Sequence, residues 1–153
     1  MLHQSEKNQR IKDRKKKLAI VVSSYNPEIT KKLLESCVRS LVEGRIFKKN
    51  LKIVEVPGAF EIPLAVKKLA SSKKYDAIIA LGAIIKGETH HFEIIAQECA
   101  RGIMQTMLGN NIPIIFGVLT TYTKKQALER CKLNQKNKGR EAAQAALHML
   151  NLL

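Results

Sequence analysis

Tryptophan is absent and aromatic residues are 5% of the 153-residue chain, so its charge lacks the row of stacking rings that single-strand recognition needs. Cysteine is scarce: Cys37, Cys99 and Cys131 lie far apart, are odd in number and form no Cys-x-x-Cys pair. That argues against a disulfide framework and against zinc, and fits a reduced cytoplasm. No apolar run approaches the ~20 residues of a membrane span. Leu18 to Val22 is too short for a signal-peptide core and has no small-residue cleavage site after it, so a soluble, unprocessed protein is expected. Acidic residues are also few, 13 against 27 basic ones, for a net charge of +14 and a pI near 9.9.

That charge raises the question of an anionic partner, and its distribution answers against a specific nucleic-acid site. Seven of the basic residues fall between Lys7 and Lys17. Twenty of the 27 are Lys, which solvates a surface without committing to bidentate phosphate contacts. The doublets at 31/32, 48/49, 67/68, 73/74 and 124/125 read as solvated faces, with nonspecific attraction of polyanions left to the tail.

What is present is a one-domain body with 45% apolar residues, enough for a real core. Residues 1–17 read as a basic arm, flexible or extended, and residues 18–153 as a single domain. Strands are expected at Leu18–Ser24, Leu51–Val56, Asp76–Ala83 and Ile112–Leu119. Helices are expected from Asn26-Pro27, as cap and first position, to Val42 before a Gly44 stop. Others run from Phe60 to Ala70 with Pro63 in the first turn, from His90 to Leu108, from a Thr123–Gln126 capping box to Cys131, and from Lys138 to Leu150. Strict alternation implies a four-stranded parallel sheet with helices on both faces, an α/β three-layer αβα sandwich. Sites in such folds sit at the carboxyl ends of the strands.

Those ends hold most of the unusual residues: Ser23-Ser-Tyr-Asn26, Pro57-Gly-Ala-Phe-Glu61, Ala83-Ile-Ile-Lys-Gly-Glu-Thr-His-His91 and Thr120-Thr-Tyr122. The third is the richest, with Gly87 read as a tight turn before a carboxylate, a hydroxyl and two imidazoles at a helix start that attracts anions. A receiver domain of the same topology needs clustered carboxylates after its first strand, and Ser23-Ser-Tyr-Asn26 has none.

Taken together, Pro57-Gly-Ala-Phe-Glu-Ile-Pro63, Gly82-Ala-Ile-Ile-Lys-Gly-Glu-Thr-His-His-Phe92, Phe116-Gly-Val-Leu-Thr-Thr121 and Asn137-Lys-Gly139 resemble the 6,7-dimethyl-8-ribityllumazine synthases over Leu18 to Leu153. The resemblance implies a flavodoxin-like domain and a homopentamer, in some members a sixty-subunit icosahedral shell, with active sites between subunits. It implies a cytoplasmic transferase of riboflavin biosynthesis without metal or organic cofactor, with possible association with riboflavin synthase. The implied reaction joins 5-amino-6-(D-ribitylamino)uracil to L-3,4-dihydroxy-2-butanone 4-phosphate.

By the same resemblance Tyr25, Ala59, Phe60, Glu61, Ala83, Ile84 and Ile85 would hold the ribitylaminouracil, and Glu88 and Thr89 the butanone phosphate. His91 would transfer protons, a role for which imidazole suits neutral pH. Phe116 and Arg130 would come from the adjacent subunit to stack on the pyrimidine and clamp phosphate, with Lys138 in support. His90 is read as first-turn surface. The chain departs from the family where Ser24-Tyr25-Asn26 replaces the common Arg-Phe-Asn, and where Cys131-Lys-Leu-Asn-Gln-Lys136 replaces Gly-Thr-Lys-Ala-Gly. A catalytically silent shell or polyanion-binding homologue is the alternative reading.

Overall fold

The computed structural model describes residues 8–153; the first part of the expected basic arm, residues 1–7, lies outside the described residues. Its elements are β1 (Leu18–Ser23), α1 (Pro27–Glu43), β2 (Leu51–Val56), α2 (Ile62–Ser71), β3 (Ala77–Ile85), α3 (His91–Asn110), β4 (Ile114–Thr121), α4 (Lys124–Arg130) and α5 (Lys138–Leu152). All strand pairs are parallel, in the order β2-β1-β3-β4. The fold is the expected flavodoxin-like three-layer sandwich.

Period-two alternation along the central strands divides the core between the two faces. Leu18, Ile20 and Val22 of β1 and Ile79 and Leu81 of β3 point towards α1, α4 and α5, meeting Leu33, Cys37, Ala127, Ala143 and Leu147. Ala19 and Val21 of β1, with Ile78 and Ala80 of β3, face α2 and α3 through Ile62, Val66, Cys99 and Ile103. The thiols belong to this core: burial pushes Cys37 up, and Cys99 up to about 11.

Several boundaries shift. β3 continues two residues past Ala83, because Ile84 and Ile85 pair with Thr120 and Thr121 of β4. β4 starts at Ile114 rather than Ile112, since the Ile112 N–H donates to Met107 O at the end of α3 and Pro113 has no N–H to give. Ala59–Glu61 form a separate 3-10 turn, so α2 begins at Ile62. Asn26 does not cap α1 with its side chain. It is left-handed (φ 57°), and its Nδ2 donates to Ala83 O at 3.0 Å. Gly44 does end α1, but at φ −75°. Space explains the glycine better than conformation: a Cβ there would strike the Leu147 side chain and lie 3.2 Å from Gln9 O.

Gln9 belongs to a strap of residues 8–17 that runs without regular structure across the ends of α1 and α5. Ile11 enters the core, 2% exposed, and its N–H donates to Gly44 O. The Gln9 N–H donates to Gln144, Asn151 donates to the Arg10 carbonyl, and Asp76 accepts from the Lys17 N–H.

Candidate active site

The loops after β1 and β2 are tied to each other by backbone bonds and to β3 by a side-chain amide. The Ser24 N–H donates to Val56 O at 2.8 Å and the Tyr25 N–H to Pro57 O at 3.1 Å, joining the loops after β1 and β2. Asn26, freed from capping, joins the first loop to β3. On this scaffold Tyr25 and Phe60 stand out into solvent, 71% and 55% exposed, where buried aromatics would be the norm. Ala59 is buried beneath them and Glu61 is exposed at the end of the 3-10 turn.

Ala83, Ile84 and Ile85, expected to hold the ribitylaminouracil, differ in where their backbone groups point. Beyond Leu81, β3 has no strand partner on its β1 side, and alternate residues of a parallel strand direct their polar groups to opposite neighbours. The Ala83 carbonyl already accepts from Asn26. Ile84 directs its groups towards β4, as does Lys86, whose N–H donates to Thr121 O. Ile85 is therefore the residue of the three whose backbone faces the open side.

Glu88, Thr89 and His90 follow as an exposed loop, and His91 is the exposed first residue of α3. The Thr89 hydroxyl accepts the His91 N–H at 3.4 Å, and the N-cap residue His90 makes no side-chain cap bond. Gly87 does not use a positive φ, so its expected role as a glycine-dependent turn is corrected; the space a Cβ would fill there is open.

Sequence reasoning placed Lys86 and Tyr122 in the strand-end segments without giving either a role, and passed over Glu93. Lys86 Nζ is 3.5 Å from Glu93 Oε1, and His90 Nδ1 is 3.6 Å from Oε2. Lys86 also lies 5.6 Å from the Tyr122 ring centroid, and Tyr122 is 6.2 Å from Phe92. The Glu93 Oε2 is closed to water without a hydrogen bond. Glu93's own backbone N–H, then Lys86 and His90, hold its carboxyl below the ordinary range. These contacts stitch the β3–α3 loop to the β4–α4 loop. The acidic residue in the first turn of α3 was the visible signal for Glu93; for Tyr122 it was the place at the carboxyl end of β4.

The remaining candidates gather elsewhere. Phe116, Arg130 and Lys138 line a groove of about 420 Å³ along β4 and α5. Phe116 is 43% exposed and pairs with Ala80, five register positions below the Ile85–Thr121 pair, which places it ~16 Å down the strand. Tyr25 follows β1, on the far side of β3. Aromatic contacts need ring centroids within ~7 Å, so one chain cannot stack both rings on one ligand.

Arg130 is exposed, with Nη1 donating to Gln126 O, and Lys138 is held by Glu141 at 2.7 Å. Asn137 organises this flank. Fully buried, it accepts from the Gly139 and Arg140 N–H groups as the cap of α5 and donates Nδ2 to Cys131 O and Lys132 O at 2.8 and 3.0 Å. It thereby closes the 131–136 loop without the family's usual glycine and threonine. Gly139 is demanded by space, since a Cβ would fall on the Leu33 carbonyl.

A family model for 6,7-dimethyl-8-ribityllumazine synthase matches residues 15–153, nearly the whole chain. The chain belongs to that family. The match takes in every loop described above and leaves residues 8–14 of the strap outside it. Among the described residues no helix is long and apolar enough to cross a membrane.

Proposed function

We propose that the chain condenses 5-amino-6-(D-ribitylamino)uracil with L-3,4-dihydroxy-2-butanone 4-phosphate to give 6,7-dimethyl-8-ribityllumazine, one inorganic phosphate and two waters, in the cytoplasm. Family membership supports the reaction class. The observation that carries the site assignment is the division of the candidates into a rim half and a β4 half that one chain does not bring together.

In this reading one protomer supplies Tyr25, Phe60 and Glu61 to the pyrimidine and ribityl chain, with Ala59 beneath and the Ala83–Ile85 edge offering Ile85's backbone. The neighbour supplies Phe116 as the opposing ring. The butanone phosphate lies between Glu88–Thr89 and the neighbour's Arg130, with Lys138 in support; a guanidinium grips phosphate through two parallel donors. The uracil's 5-amino group attacks the ketone and loses water to form an imine. His91 removes a proton from the butanone-derived carbon as the phosphate ester leaves, and returns one before ring closure expels the second water. Placed acid–base groups contribute ~10²–10⁴-fold, and holding two substrates in register is worth ~7–11 kcal/mol.

Such a site requires a homo-oligomer, and a closed ring satisfies a head-to-tail interface of this kind. β4 is an edge strand whose outer side has no strand partner among the described residues. Ile94, Met104 and Leu108 of α3 leave apolar surface exposed along one side of the helix. The pentamer, as ring or as part of a shell, is the assembly proposed, with riboflavin synthase as a partner consuming the product.

Turnover decides the matter. Purified protein mixed with both substrates should generate the fluorescent lumazine and release one phosphate per product. An intact oligomer that yields no product would favour the silent shell instead.

A further inference from the structure

The amino-terminal part of the strap, residues 8–12, is bonded to α5, the helix that carries Lys138. Asn151 grips the strap backbone on both sides of Ile11: its Nδ2 donates to Arg10 O at 2.9 Å and its Oδ1 accepts from the Lys12 N–H at 3.3 Å. Gln144 joins three segments, accepting the Gln9 N–H at 2.6 Å while donating to the Ser40 hydroxyl of α1 at 2.7 Å. Arg140 donates to the Asn8 side-chain oxygen and lies 3.6 Å from Glu43, the last residue of α1.

These anchors form one stripe. Positions 140, 144 and 151 fall within ~40° of one another around a helix of 3.6 residues per turn. Lys138, Ala142 and Ala145, which line the groove with Phe116 and Arg130, fall on the opposite side. The face between the two rests in the core through Gly139, Ala143 and Ala146. Such small residues raise low ridges, so packing alone resists sliding of α5 along its axis less than larger side chains would. Directional hydrogen bonds to the strap supply that restraint. At the start of α5 it is passed on through the backbone, because the Gly139 and Arg140 N–H groups both donate to Asn137 Oδ1 and Lys138 sits inside that cap.

We propose that the strap is a positioning brace for the phosphate half of the site: through Arg140, Gln144 and Asn151 it sets where α5 stands along the sheet, and so where Lys138 meets the phosphate. The inference rests on the proposed reaction. None of the three anchors lines the groove, so each acts through α5 and not on the substrate. Phe116 belongs to β4, which the sheet holds by its pairing with β3, and Tyr25 and Phe60 stand on other loops. Loosening the brace therefore bears on the phosphate substrate and leaves the pyrimidine half in place. Ile11 serves the core as well as the brace, so deleting the strap would mix folding with position. The polar anchors separate the two.

Steady-state kinetics and calorimetric titration with inorganic phosphate, on the full chain carrying Gln144→Ala/Asn151→Ala, test this. The KM for the butanone phosphate and the Kd for inorganic phosphate should each rise roughly tenfold, less than the ~10²-fold that a misplacement of ~1 Å can cost. The KM for ribitylaminouracil and kcat should stay within about twofold, since neither the rim nor His91 moves. Gln144→Glu should also stay within about twofold throughout, because a carboxylate still accepts from the Gln9 N–H and the Ser40 hydroxyl. The control Asn50→Ala, which frees the strap at Arg14 O and not at α5, should do the same. If the double variant does not assemble, Asn151→Ala alone is read in the same way, with a rise of about threefold expected from additivity. Unchanged phosphate binding would overturn the proposal. So would an equal rise in both Michaelis constants, or an equal effect of Asn50→Ala, either of which would reduce the strap to general stability. A wild type that binds inorganic phosphate, and binds it more weakly in the double variant, but forms no lumazine would instead count against the enzymatic reading, leaving the brace standing.

Discussion

The rim and the β4 flank show two ways of presenting functional groups. At the rim, bonds between the loops after β1, β2 and β3 hold a backbone frame from which Tyr25 and Phe60 project. On the flank, a single buried side chain, Asn137, shapes a loop and caps α5, and the sheet edge supplies Phe116. Each half exposes apolar rings that a monomer would bury at a gain of ~1.5–3 kcal/mol apiece. In the proposed reading each half leaves such surface open for a neighbouring subunit, and the two differ in content: rings and imidazoles on one, a ring and cations on the other.

Mixing is the strongest way to break that comparison. His91→Ala should slow turnover ~10²–10⁴-fold with pyrimidine binding retained, and Arg130→Ala should also be crippled. Random co-assembly of the two should restore about a quarter of the sites, because each composite site draws its halves from different subunits. No recovery would mean that both groups serve one chain's own site.

The flank depends on its glycine more than its lysine. Gly139→Ala forces a methyl against backbone at Leu33, an overpacking worth about 3 kcal/mol, or a Tm drop on the order of 6–12 °C. Thermal melts of wild type and variant measure it, and an unchanged Tm would show that α5 can slide.

Arg130→Lys keeps the charge and removes the fork, so the Michaelis constant for the phosphate substrate should rise about tenfold with kcat little changed, the loss expected of one charge-assisted bond. An unchanged constant would remove Arg130 from the clamp.

Glu93→Gln sharpens the rim half and should have the smallest effect. The carboxyl is held below its ordinary 4.5 by its backbone N–H, Lys86 and His90, so its contribution is complete above that pH and is lost as pH falls through the lowered value. The variant should melt slightly lower than wild type near neutrality, and the two should converge in acid. A gap independent of pH would show that charge is not what Glu93 contributes.

Much of this was legible in the chain because it is local. The capping box at Thr123 and Gln126 is present as expected, with both reciprocal bonds, since its partners are three residues apart. Period-two and helical spacing placed the elements, and the four motifs pointed to the family. The errors share a cause. Asn26 reads as a cap from its neighbours, yet its side chain goes to Ala83, 57 residues away. Gly44 does stop α1 as read, but the glycine is required by Leu147, 103 residues away, and not by a left-handed φ.

Pattern alone determined the alternation of elements, the parallel sheet and the composition of the loops, because hydrophobic period and turn chemistry act over a few residues. Only the tertiary structure decided which groups meet. Strand order set the rim apart from the β4 flank, register put Phe116 well below the rim, and a buried amide tied the 131–136 loop to the start of α5. Those outcomes depend on contacts between distant residues, whose geometry is settled when the layers close on one another.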